Sequence, residues 1–204
     1  MSRQSRSARR PPPQTRDSLG AVRIIGGDFR GRKLPVILAD GLRPTSDRVR
    51  ETLFNWLQFE IAGARCLDAF AGSGALGLEA LSRGAREVVF IDALPQVQQQ
   101  LQQNLQRLQI GVERATVHCT NSLKWVQNPA PQAFDILFLD PPFHKNLMVE
   151  TLDALFANGW LSEQSLLYLE QEKSLSWPTL PAGWVCLKEK STPQVRYGLF
   201  AKAE

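Results

Sequence analysis

Hydrophobic and polar positions along this chain follow two periods, and the places where one gives way to the other mark its elements. Compact apolar runs at 65–70, 87–91, 115–119, 134–139 and 166–170 have the length and the Val, Ile, Leu and Phe content of buried strands. Between them lie stretches whose apolar residues return every three or four positions. Residues 75–83 read as a helix stopped by Gly84, and 95–108 as a second, with Val97, Leu101, Leu105 and Leu108 on one face and a run of solvated glutamines on the other. A helical turn at 122–126 and a helix at 147–157 continue the series. Strand and helix alternate, which calls for a parallel sheet with helices on its faces. Segments 184–190 and 195–201 flank Ser191-Thr192-Pro193-Gln194 and predict an antiparallel hairpin that closes the sheet. The expected fold is α/β, a doubly wound, mostly parallel seven-stranded sheet.

Upstream the pattern differs. Residues 1–20 combine Arg, Ser, Gln and Pro without apolar periodicity, so they bury too little surface to offset their ordering entropy, and a disordered basic tail is expected there. From Val22 to Val36 two short strands flank the turn Gly26-Gly27-Asp28. Thr45 or Ser46 then caps a helix that carries Val49, Leu53, Phe54, Trp56 and Leu57 as its buried stripe. Three units follow from this: a tail at 1–20, a hairpin-and-helix extension at 21–60, and the α/β domain at 61–204.

Charge sharpens the division. The 204 residues suit one ordinary domain, yet the first fifty hold 12 Lys and Arg against 4 Asp and Glu, and the rest 12 against 16. A basic arm on an acidic body fits a polyanion, most commonly nucleic acid. Cys66, Cys119 and Cys186 stand more than fifty residues apart without a CxxC pair, which indicates a reduced, cytoplasmic protein without structural zinc. His118 and His144 are too scattered for a metal site, so no metal is expected. No stretch is apolar enough to anchor in a membrane, and Pro11-Pro12-Pro13 prevents the amphipathic helix of an organelle transit peptide.

Two constellations carry chemistry. In the first, Asp68-Ala69-Phe70-Ala71-Gly72-Ser73-Gly74 lies where a strand turns into a helix, so Gly72 and Gly74 let the backbone approach a ligand at the helix N-terminus. Gly72, Gly74 and Gly77 match GxGxxG, and Asp92, twenty residues after Gly72, is placed to accept ribose hydroxyls. This describes a dinucleotide or any other adenosine cofactor. Asp68 favours a cofactor with a cationic amine, because a carboxylate beside a pyrophosphate in a partly desolvated cleft is repelled.

The second is Asp140-Pro141-Pro142-Phe143, which emerges at the same carboxyl edge of the sheet. The prolines remove two N–H donors and leave carbonyls and the Asp140 carboxylate as rigid acceptors, suited to a substrate that presents an NH2. Accepting both N–H bonds of an exocyclic amine at Asp140 and the Pro141 carbonyl favours a pyramidal nitrogen whose lone pair faces a donor methyl. Phe143 is placed to stack on the base, a contact worth about 1–3 kcal/mol.

Together these motifs resemble the class I S-adenosylmethionine-dependent methyltransferases that modify exocyclic amines. Arg23-Ile24-Ile25-Gly26-Gly27, Arg30-Gly31-Arg32-Lys33-Leu34 and Arg43-Pro44-Thr45-Ser46-Asp47-Arg48-Val49-Arg50-Glu51-Thr52-Leu53-Phe54-Asn55-Trp56 are similar to the RsmD family, which methylates N2 of a guanine in bacterial 16S ribosomal RNA. The resemblance runs from about Val22 to the end and implies the Rossmann-like fold of those enzymes. It also implies that Asp68, Phe70, Gly72 and Gly74 line the methionine end of S-adenosylmethionine and that Asp92, where the family more often has Glu, meets the ribose. Asn121 is the candidate for the adenine, and Asp140, Pro141, Pro142 and Phe143 form the catalytic motif. Arg30, Arg32, Lys33, Arg43, Arg48, Arg50 and Lys145 become the phosphate contacts. The implied reaction is in-line displacement by guanine N2 with release of S-adenosylhomocysteine. The implied partner is 16S ribosomal RNA within the small subunit or an assembly intermediate, met by a monomer without membrane attachment.

Three rivals share parts of this pattern. A Rossmann dehydrogenase has the glycine turn but needs a hydride-transfer acid or base, a DNA adenine-N6 methyltransferase has the acceptor motif, and a non-enzymatic ribosome-binding protein has the basic arm without needing Asp140. Residues 1–17 carry five Arg and one Asp, whereas 18–50 carry seven basic and three acidic residues next to the expected site. Deleting residues 1–17 is expected to weaken mainly the salt-dependent, non-specific attraction to RNA, and neutralising Arg30, Arg32 and Lys33 to impair docking itself. Loss of methylation at low salt on tail deletion alone would reverse that division.

Overall fold

The structure is a computed structural model that describes residues 19–37, 45–143 and 147–203. Most of the expected tail thus lies outside the described residues, and the first strand begins at Leu19, three residues before the expected hairpin. β1 (Leu19–Arg23) pairs antiparallel with β2 (Lys33–Ile37), Val22 opposite Leu34. The main sheet comprises β3 (Arg65–Asp68), β4 (Glu87–Asp92), β5 (Ala115–Cys119), β6 (Phe134–Leu139), β7 (Leu161–Glu172), β8 (Trp184–Ser191) and β9 (Val195–Lys202), in the order β5-β4-β3-β6-β7-β9-β8. β3 to β7 run parallel, and β9 runs against both β7 and β8. The strand order reverses between β3 and β6, and at such a switch point the two carboxyl ends open a crevice.

Helices cover both faces. α1 (Asp47–Trp56), α2 (Ala75–Ser82) and α3 (Pro95–Arg107) pack on one with the β1–β2 hairpin, and α4 (Ser122–Val126) and α5 (Leu147–Ala157) on the other. Alternation along the strands sorts the core: Cys66, Val88, Phe90, Phe138, Tyr168 and Tyr197 face α1–α3, while Leu67, Val89, Ile91, Leu139 and Leu169 face α4 and α5. Ser46 is the cap of α1, its side chain accepting from the Val49 amide at 3.3 Å. β7 is the element that departs most from expectation, starting five residues before the predicted 166. Its polar stretch Ser162-Glu163-Gln164-Ser165 hides the strand period because it forms an irregularity, across which the register moves from Phe134–Leu161 to Ile136–Leu166. Ser165 Oγ stitches that step, donating to the Phe134 carbonyl at 2.6 Å and accepting from the Ser162 amide at 2.8 Å.

The hairpin and α1 share one core with the main domain: Val22, Ile24, Leu34 and Val36 join Leu53, Phe54, Leu78 and Leu101 in a single cluster. Its polar joint is Glu79 of α2, fully buried, whose oxygens accept from the Ile25 and Gly26 amides, both at 2.8 Å. Arg83 Nε pairs with the same carboxylate at 2.7 Å, and Arg50 Nη1 approaches it at 3.5 Å. Gly27, at φ +74°, passes so close to α2 that a Cβ would stand 1.8 Å from the Ser82 carbonyl oxygen. The next turn of the loop docks through the Asp28 amide on that carbonyl, 2.8 Å, and the Phe29 amide on Ser82 Oγ, 2.9 Å.

Removing one partner of a buried ion network leaves the others uncompensated, so Glu79→Ala is expected to cost about 3–5 kcal/mol in urea unfolding. A loss below about 1 kcal/mol, the range of a surface pair, would show that the joint is held elsewhere.

Candidate active site

The crevice between β3 and β6 gathers the residues of both constellations. Asp68 ends β3, and Asp140 directly follows β6. Asp68 pairs in register with Phe138, and alternation then places Asp68, Phe138 and Asp140 on the same face of the sheet, the one that α1 and α2 cover. The two carboxylates therefore look into one space from adjacent strands.

Each is held by the chain. Asp68 is 3% exposed, and its Oδ2 accepts from the Gly77 amide in the first turn of α2 at 3.0 Å. Burial pushes its pKa up to about 7, against the Gly77 hydrogen bond, with the Asp92 charge adding to the rise. Half-buried Asp140 takes the Thr45 hydroxyl on Oδ2 at 3.3 Å. Its carboxyl lies well above the usual range because it is desolvated and faces Glu170 and Asp68, while Thr45 pulls the other way. Pro141 is buried, and Pro142 and Phe143 are half-buried beside it.

Both glycines of the turn have left-handed backbone. Gly72 has φ +49°, and its amide donates to Asp92 Oδ2 at 2.9 Å. Asp92 Oδ1 accepts the Leu94 amide at 2.9 Å, so this carboxylate pins the turn to the end of β4 and keeps further lone pairs for a ligand. Gly74 is favoured by its φ of +74°, which strains any side chain, and a Cβ there would also press on the tip of Leu101 of α3 at 2.2 Å. Half-buried Phe70 packs at the edge of the core on the opposite face. Exposed Asn121 caps α4, its Oδ1 accepting the Lys124 amide at 3.0 Å, which leaves its NH2 as the group free to meet a base.

The family model described as Conserved hypothetical protein 95 matches residues 22–201. The chain belongs to this family, the RsmD methyltransferases. Its Haemophilus influenzae relative, named Ribosomal RNA small subunit methyltransferase D, is 50% identical over 188 residues, 92% of this chain and 97% of that one. The Escherichia coli protein of the same name is 50% identical over 184 residues, 90% and 91% of the two chains. The solved structure of the Escherichia coli methyltransferase yhhF superposes with a TM-score of 0.84 at 47% identity, covering 90% of this chain and 99% of the other. A Haemophilus influenzae methylase gives 0.80 at 47% identity over 91% and 100%.

On this RsmD methyltransferase the basic residues separate into two kinds. Arg30, Arg32, Lys33 and Arg48 are exposed, and Arg30 lines a cleft with Arg23, Asp47 and Glu51. Arg50 does not share that surface. It is 1% exposed, with Nη2 bonded to Asp47 at 2.6 Å and to the Arg23 carbonyl at 2.9 Å, so its charge serves the joint with Glu79 and is closed to phosphate. Arg43 and Lys145 lie outside the described residues. A cavity of about 440 Å³ lined by Arg65, His118, Trp125 and Trp160 shares no residue with the β3–β6 crevice. Sequence reading missed Thr45 as a partner of Asp140 and the buried Glu170 beside it. The position of Thr45 just before a capped helix was a visible signal, and Glu170 had none.

A carboxyl whose folded pKa stands near 7 keeps a proton that the unfolded chain has already shed. Stability is therefore expected to fall as pH rises from the ordinary carboxylate range to about 7, with a slope of up to about 1.4 kcal/mol per pH unit from Asp68, and to level above it. Asp68→Asn should flatten that contribution in urea melts across the window; unchanged slopes would show that Asp68 is ionised throughout.

Proposed function

We propose that this RsmD methyltransferase moves a methyl group from S-adenosylmethionine to the exocyclic N2 of one guanine in 16S ribosomal RNA of the small ribosomal subunit. The observation that carries the reading is the convergence of Asp68 and Asp140 on one face at neighbouring carboxyl edges, which puts a cation-seeking carboxylate beside an amine-accepting one. The donor set fits such a cofactor: a buried carboxylate with one oxygen bonded to Gly77, a turn opened by Gly72, and the unspent lone pairs of Asp92. The names of the 50% identical relatives support ribosomal RNA over DNA as the substrate.

When bound, S-adenosylmethionine supplies a methyl on a cationic sulfonium and departs as S-adenosylhomocysteine. Asp68 attracts the ammonium of its methionine part, Phe70 and the Gly72–Gly74 turn border it, Asp92 accepts the ribose hydroxyls, and the Asn121 amide meets the adenine. Asp140 and the Pro141 carbonyl accept the two N–H bonds of the guanine amine, with Pro142 stiffening the turn and Phe143 stacking on the base. The sulfonium is already a good leaving group, so no metal is required. The chain's main task is alignment, which contributes on the order of 7–11 kcal/mol in well-oriented reactions. The target nucleotide must leave its stack to enter, which favours a loop guanine. Arg30, Arg32, Lys33 and Arg48, together with Arg43 and Lys145, bind the RNA backbone around it, and the chain acts as a cytoplasmic monomer.

Asp140→Ala is expected to fold and to bind S-adenosylmethionine in calorimetry, yet to lose methyl transfer to small subunits from an enzyme-deficient strain by well over tenfold. Near-normal turnover would remove Asp140 from the chemistry. Mapping the nucleotide that lacks its methyl in that strain identifies the guanine.

A further inference from the structure

Glu170 is a buried carboxylate to which the reaction as described assigns no task. β6 and β7 run parallel in register, Phe138 beside Tyr168 and Leu139 beside Leu169, so the next position outward sets Asp140 next to Glu170. Alternation turns Phe138, Asp140, Tyr168 and Glu170 to the α1 side. Glu170 is 5% exposed, and its Oε2 accepts the Tyr168 hydroxyl at 2.6 Å. Tyr168 is itself fully buried, 6.3 Å from the Phe138 ring and 6.4 Å from the Tyr197 ring, so it cannot swing away. Among the described residues no cation bonds to Asp140 or Glu170.

Two carboxylates so placed cannot both ionise cheaply, so each raises the other's proton affinity and the first proton the pair takes up is held the more firmly. Facing Asp140 are Thr45 from the approach to α1, Asp68 from β3, and Glu170 with Tyr168 from β7. Asp92 of β4 acts on Asp68, and Tyr197 of β9 on Tyr168. All the charged groups in this set are negative when ionised, so each raises the proton affinity of its neighbour. Among the described residues, only Thr45 favours the Asp140 anion directly.

We propose that Glu170, held by the Tyr168 hydroxyl, is a positioning residue that makes Asp140 the acceptor of the proton shed by guanine N2. The proposal rests on the methyl-transfer reading above. As the N2 lone pair forms the new N–C bond, the C–S bonding pair leaves with sulfur. The nitrogen then releases one N–H proton, keeping that bonding pair, and the Asp140 carboxylate takes the proton. The Asp140–Glu170 pair retains it until the product departs and then loses it to water.

The test is the pH dependence of single-turnover methylation of small-subunit particles by the full chain, at saturating S-adenosylmethionine, for wild type, Glu170→Gln and Tyr168→Phe. The amide of Glu170→Gln carries no charge to repel the Asp140 carboxylate, so the acid limb of the rate is expected to move to lower pH by about one unit. Tyr168→Phe removes the hydrogen bond that favours ionised Glu170 and should move the limb the same way by less. A limb that stays in place in both active variants overturns the proposal. Should Glu170→Gln fail to fold, Tyr168→Phe decides alone by the same criterion. Failure of the underlying reading is a separate result, seen when digested RNA from the wild-type reaction contains no N2-methylguanosine.

Discussion

A single buried charge, the Glu79 carboxylate, ties together three segments far apart in sequence. Placed in the interior of α2, it must be met by donors, and the chain supplies them from the Ile25–Gly26 loop, from Arg83 one helical turn away, and from Arg50 of α1. Networks of this kind contribute less to net stability than to fixing one arrangement, because every member left unpaired is costly. The consequence reaches the active site. With Arg50 anchored and Phe54 and Trp56 of α1 laid against Phe138 and Tyr197, α1 has one setting over the sheet. In that setting the residue just before its cap, Thr45, arrives at Asp140. The hairpin that carries Arg30, Arg32 and Lys33 is fixed by the same joint, so this basic surface and the Asp140 carboxylate are placed by one buried charge.

The opposite rule governs the carboxyl edge of the sheet. Glu79 is surrounded by donors, whereas among the described residues Asp68, Asp140 and Glu170 are met by a backbone amide, one threonine and one tyrosine hydroxyl between them. Their proton affinities are raised by burial and by one another, a perturbation that clusters at functional sites and favours cationic groups nearby. Among the described residues no cation pairs with these groups, and burying them in this way costs stability. Dense apolar packing on both faces offsets that cost.

Much of this was legible in the chain. The strand–helix alternation declared itself because buried strands and amphipathic helices have different periods, and every predicted helix lies within two residues of its observed limits. The two motifs also pointed to a common edge, since both follow parallel strands. Legibility ended where a residue type has two environments open to it. Arg50 belongs to a run of basic residues and looks like its neighbour Arg48, yet it sits on the helical face with Val49 and Leu53 that turns inward. Gly74 reads as a ligand glycine within GxGxxG, and only the structure shows that Leu101 of α3 also lies against it.

By itself, then, the sequence determined the layer architecture, the common carboxyl edge of the two motifs and the chemical character of the residues there, because these follow from local periodicity and from residue types at strand ends. What only the tertiary structure decided is which groups meet across the sheet: Glu79 with the hairpin, Thr45 with Asp140, and Glu170 beside it on β7. Those pairings depend on strand order and helix setting, which bring together residues far apart along the chain, 95 positions in the case of Thr45 and Asp140, and leave no periodic trace in it.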